Sequence, residues 1–428
     1  MKTPKLLIIL LIVICSSCKE EKVIEPVKPT ATVLIGEVIG RPDSKMLWMT
    51  KHYEDFRTDS VVKIPIVDRK FSYSFKADAI ESYVLAFKEE VERGSYRTVT
   101  IFSENDTLRI KLHNNEDYND NIISGGKINK IYQNLINEER KLFYSDYDSI
   151  NKKYEKYNYK EFYSEEYVSL INQLGDTKTK AEEMLIYKKQ NELKKQDLHR
   201  NELGKIREKE YKAIRDKHTE YKYNYISKNN TIVAYDMLVM DMVNRKKEIE
   251  LGKIVKNFNR FKNKYPKHPY TALGQNLISA INSLKPGGKY VNFTAPDVNG
   301  KQFELKSILE EHEIVLLDLW ATWCGPCIVH TRQAKPVYEK YKDKGFTILG
   351  VAGEHDDLKS YHKFMEKEQW PWQQLIELDK ENRIWEKYSI MNSGGGMFLI
   401  DKTGEMLAVN PTVEELETIL ETKLIAVH

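Results

Sequence analysis

The chain is poor in cysteine. Four occur in 428 residues, Cys15, Cys18, Cys324 and Cys327, too few for a disulfide-dense scaffold. It also lacks a strong excess of either charge: 67 Lys and Arg against 64 Asp and Glu leave a formal charge of +3. A dedicated nucleic-acid binder is normally strongly basic on at least one face, so no nucleic-acid partner is expected. The apolar run at residues 6–14 falls short of the about 20 residues needed to cross a bilayer. No internal repeat is evident. What is present is 41% hydrophobic and 31% charged residues, enough to build globular cores. At roughly 150 residues per domain, the length suggests about three units.

The N-terminus reads as an address. Lys2 and Lys5, the apolar run and Cys15-Ser16-Ser17-Cys18 have the layout of a secretory signal. The small residues before Cys18 resemble a bacterial lipobox. That resemblance implies a signal peptide over residues 1–17, cleavage before Cys18, and membrane attachment through lipidated Cys18. Several acyl chains on one cysteine hold firmly, because each buried CH₂ adds about 0.8 kcal/mol. An ordinary signal or anchor with an incidental cysteine is the other reading. Lys19 does not match the aspartate that retains Gram-negative lipoproteins in the inner membrane, and Lys19-Glu20-Glu21 resembles a surface-export tag. Together they imply the bacterial cell envelope: an outer-membrane anchor facing the periplasm or the cell surface. Pro26 and Pro29 mark a tether over residues 18–29.

The body is expected to be multidomain α+β. Residues 30–118 read as a β-sandwich-like domain. Runs rich in Val, Ile, Thr and aromatics lie at 30–39, 45–53, 61–75, 83–87 and 96–112, with alternation at Phe71, Tyr73, Phe75 and at Leu108, Ile110, Leu112. This segment resembles an N-terminal domain of unknown function found in bacterial lipoproteins ahead of a thioredoxin-like domain. Residues 119–286 read as a helical domain. Tyr211, Ile214, His218 and Tyr221 fall on one helical face, and Asn230-Thr231 starts a helix through Ala234, Leu238 and Val243. The crowded tyrosines of 143–167 suit either base stacking or a half-buried helix face; interspersed acids such as Glu155 and Glu161 favour the latter. Pro286-Gly287-Gly288 marks the start of a third domain, 287–428. Its βαβ…ββα order predicts a mixed sheet with helices on both faces.

Cys324-Gly325-Pro326-Cys327 lies between the apolar run 314–320 and a helical pattern. A helix N-terminus favours a negative sulfur and lowers a thiol pKa, so Cys324 is expected to be the attacking thiolate. Cys327, one turn on, closes the disulfide. Pro326 suits a helix first turn, and Trp323 shields the pair while leaving one edge open. After signal cleavage no second pair remains for a Cys₄ zinc site, and no histidine follows Cys327 as a c-haem site requires. A purely structural disulfide stays possible, although so short a loop is a poor staple.

The stretch Val315-Leu316-Leu317-Asp318-Leu319-Trp320-Ala321-Thr322-Trp323-Cys324-Gly325-Pro326-Cys327, with Ala295-Pro296-Asp297 upstream and Phe398-Leu399-Ile400-Asp401 downstream, resembles the membrane-tethered TlpA/ResA-like thiol-disulfide oxidoreductases of the thioredoxin-like family. The resemblance implies a thioredoxin-like α/β domain, a redox disulfide Cys324–Cys327, and Asp318 relaying protons to Cys327. It implies no metal and no cofactor beyond the dithiol. Disulfide-containing exported proteins are the implied substrates, and a membrane protein the implied electron donor. The runner-up is a binding or scaffold lipoprotein with a vestigial redox module. Three departures stand out. His330 replaces an acid and Arg332 a proline, which adds positive character near the thiols. Ser393-Gly394-Gly395-Gly396-Met397 replaces the segment holding a cis-proline, with Gly395 aligning best. Any of the three glycines can face the cysteines; Gly395 is expected to be trans, the loop to use glycine's access to positive φ, and the substrate groove to be looser, so that Gly395→Pro would tighten it. The loosened site also leaves room for a metal at Cys324 and Cys327, with His330 as a third ligand.

Overall fold

The computed structural model describes residues 30–56, 61–177, 179–244, 251–355, 357–391 and 394–425. The signal segment, the tether, Cys18 and Ser393 lie outside the described residues.

The front region comprises β1 (Thr32–Val38), β2 (Met46–Lys51), β3 (Val62–Pro65), β4 (Lys70–Phe75), β5 (Ser82–Phe87), the short helix α1 (Lys88–Glu92), β6 (Val99–Phe102), β7 (Thr107–Leu112) and β8 (Ile122–Ser124). They form two four-stranded sheets, β4-β1-β7-β8 and β3-β2-β5-β6. Only β1 and β7 pair in parallel; the other pairings are antiparallel. Inward residues of the first sheet, Leu34, Leu108 and Ile110, meet Leu47, Ile64 and Leu85 of the second in one core, which makes a sandwich. Two runs expected to be continuous are split. Asp68 and Arg69, both at positive φ (49° and 60°), form the two-residue turn between β3 and β4, since paired left-handed residues match strand twist. Asn105 (φ 49°) breaks the second run between β6 and β7. Strand β8 carries the sheet past residue 118.

The middle region is helical: α2 (Lys127–Tyr154), a 3₁₀ turn at Tyr159–Phe162, α3 (Glu165–Asp176), α4 (Lys180–Lys195), α5 (Glu202–Lys228), α6 (Ile232–Asn244), α7 (Leu251–Lys264) and α8 (Pro269–Ser283). Thr231 caps α6 by accepting from Ala234 N at 3.2 Å. Nearly every side of α6 is buried, including Val233, Tyr235, Leu238 and Met242, so it is the axis of this core. The sandwich docks on it. Tyr53 and Phe102 enter the helical core. Tyr270 Oη donates to Asp236 Oδ1 at 2.8 Å and accepts from Ser82 N at 2.8 Å.

The C-terminal region contains β9 (Thr294–Pro296), β10 (Gln302–Glu304), α9 (Leu305–Glu311), β11 (Ile314–Trp320), α10 (Gly325–Tyr341), β12 (Phe346–Glu354), α11 (Lys359–Glu368), β13 (Gln374–Leu378), α12 (Ile384–Lys387), β14 (Gly396–Asp401), β15 (Met406–Val409) and α13 (Val413–Leu424). Its sheet runs β13-β12-β11-β14-β15. Strands β11, β12 and β13 are parallel; β14 and β15 are antiparallel. All seven residues of β11 are buried, as a central strand covered on both faces requires. Val315, Leu317 and Leu319 pack on one side with α9 and α12. Ile314, Leu316 and Trp320 pack on the other with Ala334, Val337 and Leu416 of α10 and α13. This is the thioredoxin-like arrangement. The period of two places Asp318 on the α10 side.

Candidate active site

Strand β11 ends at Trp320, and the chain turns through Ala321-Thr322-Trp323 into α10. Glu354, at the end of the neighbouring β12, holds this turn with both carboxylate oxygens. Thr322 N donates to Oε1 and Thr322 Oγ1 to Oε2, each at 2.8 Å. Glu354 is 4% exposed, so the clamp is shielded from water. Trp323 remains 42% exposed and stacks on His355 with centroids 5.7 Å apart.

Cys324 is the N-cap of α10, with Pro326 in the first turn, and it is joined to Cys327 by a disulfide with Cα atoms 5.3 Å apart. Cys324 is 8% exposed and Cys327 half-buried. Exposure therefore does not favour Cys324 as the attacking sulfur. The backbone does: Cys324 Sγ accepts from Cys327 N at 3.3 Å. In the reduced state the same N–H, with the helix N-terminus behind it, stabilises a thiolate at Cys324.

Asp318 is 1% exposed. Burial pushes its carboxyl up to about 7, against a smaller lowering by the hydrogen bond from Thr331. Thr331 Oγ1 lies 2.6 Å from Asp318 Oδ2 and 2.9 Å from Cys327 O. One hydroxyl proton serves only one acceptor at a time. When Asp318 is ionised, Thr331 donates to it. When Asp318 is protonated, it donates to Thr331, which turns its own proton to the Cys327 carbonyl. Thr331 and Glu354 were not singled out from sequence. Thr331 lies one helical turn beyond Cys327, the only signal that marks it, and Glu354 is marked only by ending a strand.

The two substitutions expected to add positive charge do not do so. Arg332 is taken up by Glu368 through two bonds, Nε–Oε2 at 2.9 Å and Nη2–Oε1 at 2.6 Å. His330 sits on the same helix, and desolvation lowers its pKa below the ordinary histidine value, which reduces rather than adds to the positive charge it brings. Of the features in the site, the helix terminus is the one that favours negative charge at Cys324. Among the described residues no group of three or more potential metal ligands gathers, at Cys324, Cys327 and His330 or elsewhere.

The glycine segment lies against the disulfide, for a reason other than the one expected. No cis peptide occurs among the described residues, and Gly395 is not at positive φ. Space is what demands glycine. A Cβ on Gly394 would lie 2.6 Å from Cys324 Cβ and 3.3 Å from Trp323 Cζ3. A Cβ on Gly395 would run into Leu319 O and approach Cys327 Sγ to 3.1 Å. The loop is therefore close-fitting, and Gly395→Pro meets the same obstruction as any side chain. Met397 N bonds Asn410 Oδ1 at 2.8 Å and fixes the strand that follows. Gly395→Ala is expected to destabilise the chain by about 1–3 kcal/mol, the usual cost of overpacking. An unchanged denaturant midpoint would show that the segment does not run this close to β11.

Residues 286–409 match the AhpC/TSA family. The thiol-disulfide oxidoreductase ResA of Bacillus cereus is 30% identical over 154 residues, which span 35% of this chain and 84% of that protein. The chain belongs to the ResA-like thiol-disulfide oxidoreductases. ResA of Bacillus subtilis is 28% identical over 148 residues, 32% of this chain and 76% of that protein. Among solved structures, the thioredoxin domain of a thiol-disulfide oxidoreductase from Bacteroides vulgatus is 24% identical, covering 33% of this chain and 99% of that chain with a TM-score of 0.30. This ResA-like chain is a thiol-disulfide oxidoreductase, and its dithiol candidate is the pair at the N-terminus of α10.

Proposed function

We propose that the chain is a lipid-anchored reductase of disulfides in exported proteins, working through Cys324 and Cys327. The observation that carries the reading is Cys324 at the N-cap of α10, disulfide-bonded to Cys327, whose carbonyl shares the Thr331 hydroxyl with a buried acid that titrates near neutrality. In the reduced enzyme the Cys324 thiolate attacks one sulfur of a substrate disulfide. That S–S bond breaks, the far substrate sulfur leaves as a thiolate, and a mixed disulfide with Cys324 forms. Cys327 then loses its proton towards Asp318 and attacks Cys324 Sγ. The second substrate sulfur leaves and takes up that proton, so two electrons and one proton have passed from the dithiol to the substrate; the first thiolate takes its proton from solvent. A membrane electron donor would restore the dithiol, since an oxidising compartment supplies no thiol buffer.

The Gly-Pro dipeptide resembles that of reducing thioredoxins and supports the direction. Equilibration with glutathione buffers is expected to give a potential near the about −270 mV of thioredoxin, whereas a value near the about −120 mV of oxidising relatives would reverse the assignment. Three units are proposed, the first ending after β8 rather than at residue 118, the second running to residue 286 and the third covering 287–428, with the first two placing the redox unit away from the anchor at Cys18. Cys18→Ser is expected to move the protein from the detergent phase to the aqueous phase or to leave it uncleaved. Unaltered partitioning rules out the lipid anchor.

A further inference from the structure

We infer that Met391 is a positioning residue for disulfide exchange: seated in the core of the helical region, it holds the glycine segment against the dithiol. The inference rests on Cys324 and Cys327 being the reacting pair. It makes the helical region part of the geometry of the redox site.

Met391 lies in the C-terminal region by sequence and in the helical region by packing. It is 6% exposed and shares one apolar core with Tyr53 of the sandwich and with Leu238, Leu273 and Leu277 of α6 and α8. An unbranched thioether suits such a junction, because it fills irregular gaps. The residues just before it stay with the sheet. Tyr388 packs against Phe398 with ring centroids 4.7 Å apart and donates to Val291 O at 2.8 Å.

Covalent geometry carries this anchorage to the dithiol. Three Cα–Cα steps separate Met391 from Gly394, so the two Cα atoms lie within about 11 Å of each other. Gly394, Gly395 and Gly396 have no side chains with which to anchor themselves. One end of the segment is fixed by the Met397 N bond to Asn410 Oδ1, and Met391 fixes the other. Met391 also lines a narrow cleft with Trp323, His355 and Trp385. The cleft has room for about 10 Å³, one water at most, so Met391 serves there as wall.

Two further ties hold the same stretch. Helix α12, which ends four residues before Met391, packs on α8. Asn276 Nδ2 of α8 donates to Glu386 Oε2 at 3.3 Å, and Arg383 pairs with the same carboxylate at 3.0 Å. Trp385 of α12 packs on the backbone of β12: a Cβ on Gly353 would come within 2.7 Å of its ring, next to the Glu354 clamp. A displacement of about 1 Å in a positioning element can cost about 10²-fold in rate.

The test is single-turnover kinetics of the full chain, reduced and freed of reductant, with insulin as the protein disulfide and dithiodipyridine as the small one. Met391→Ala is expected to raise the half-saturating insulin concentration about tenfold with the saturated rate little changed, the pattern of lost ground-state binding. It is also expected to speed the reaction with dithiodipyridine a few-fold, because the wall over Cys324 loosens. Met391→Leu, similar in volume, is expected to restore both. Asn276→Asp sets a second carboxylate against Glu386 without emptying a core, and is expected to move both readouts in the same sense by less. Leu135→Ala opens a cavity in the same core from α2 and is expected to move neither, which separates positioning from lost stability. Unchanged kinetics in Met391→Ala, or equal changes in Met391→Ala and Leu135→Ala, overturn the role of Met391. Should Met391→Ala not fold, Asn276→Asp decides by the same two readouts. Insulin reduction that survives Cys324→Ser overturns instead the assignment of the reacting pair.

Discussion

Cys324→Ser is expected to abolish disulfide exchange, with loss down to the level of the uncatalysed thiol reaction, while the fold is unchanged. The hydroxyl is similar in size to the thiol but does not ionise near neutral pH, so the helix terminus has no anion to stabilise. Cys327→Ser should fail differently. Cys324 still attacks, the substrate disulfide still opens, and the reaction stops at the mixed disulfide because nothing is placed to resolve it. Non-reducing electrophoresis after mixing with a disulfide-bonded protein is expected to show a covalent adduct for Cys327→Ser and none for Cys324→Ser. Adducts through Cys327 in the Cys324→Ser variant, with none in the reverse case, would exchange the roles. The half-buried state of Cys327 beside the 8%-exposed Cys324 makes this a real alternative, and the Cys327 N–H donated to Cys324 Sγ is what decides against it.

The parts of the fold that follow from local pattern were legible in the sequence. An uninterrupted apolar run ending in Cys-x-x-Cys is a buried central strand feeding a helix N-terminus, and β11 and α10 lie there. The two divided strands of the sandwich were legible only in hindsight, because Asp68-Arg69 is not one of the Gly-rich pairs that favour a left-handed turn. What sequence did not disclose depends on partners distant along the chain. Arg332 reads as a free cation until Glu368 is folded against it. Three glycines read as freedom of φ until Leu319 O is seen to leave no room for a side chain. The Tyr270–Ser82 bond joins residues 188 apart in sequence, and no periodicity announces it.

Asp318→Asn is expected to slow the resolving step by about 10²-fold or more, the range of general acid–base assistance. Asparagine keeps the shape and can still accept from Thr331, but it cannot take a proton from Cys327. The mixed disulfide should therefore accumulate in this variant, and the wild-type rise in rate through about pH 7 should vanish. Stability supplies an independent readout. The folded-state pKa of Asp318 is raised above its unfolded value of about 3.9, so the folded chain binds the extra proton between the two. The contribution is therefore fully present below the unfolded pKa and is lost as pH rises through the folded value near 7. The loss is on the order of 4 kcal/mol once the carboxylate is fully charged in its buried site. Asparagine carries no such penalty. Its unfolding midpoint should overtake that of the wild type between about pH 5 and pH 8, measured on the oxidised chain so that the thiols do not titrate. Parallel pH dependence of the two proteins would mean that Asp318 is charged in the folded state at acidic pH, and a resolving step unaffected by the substitution would remove it from the proton path.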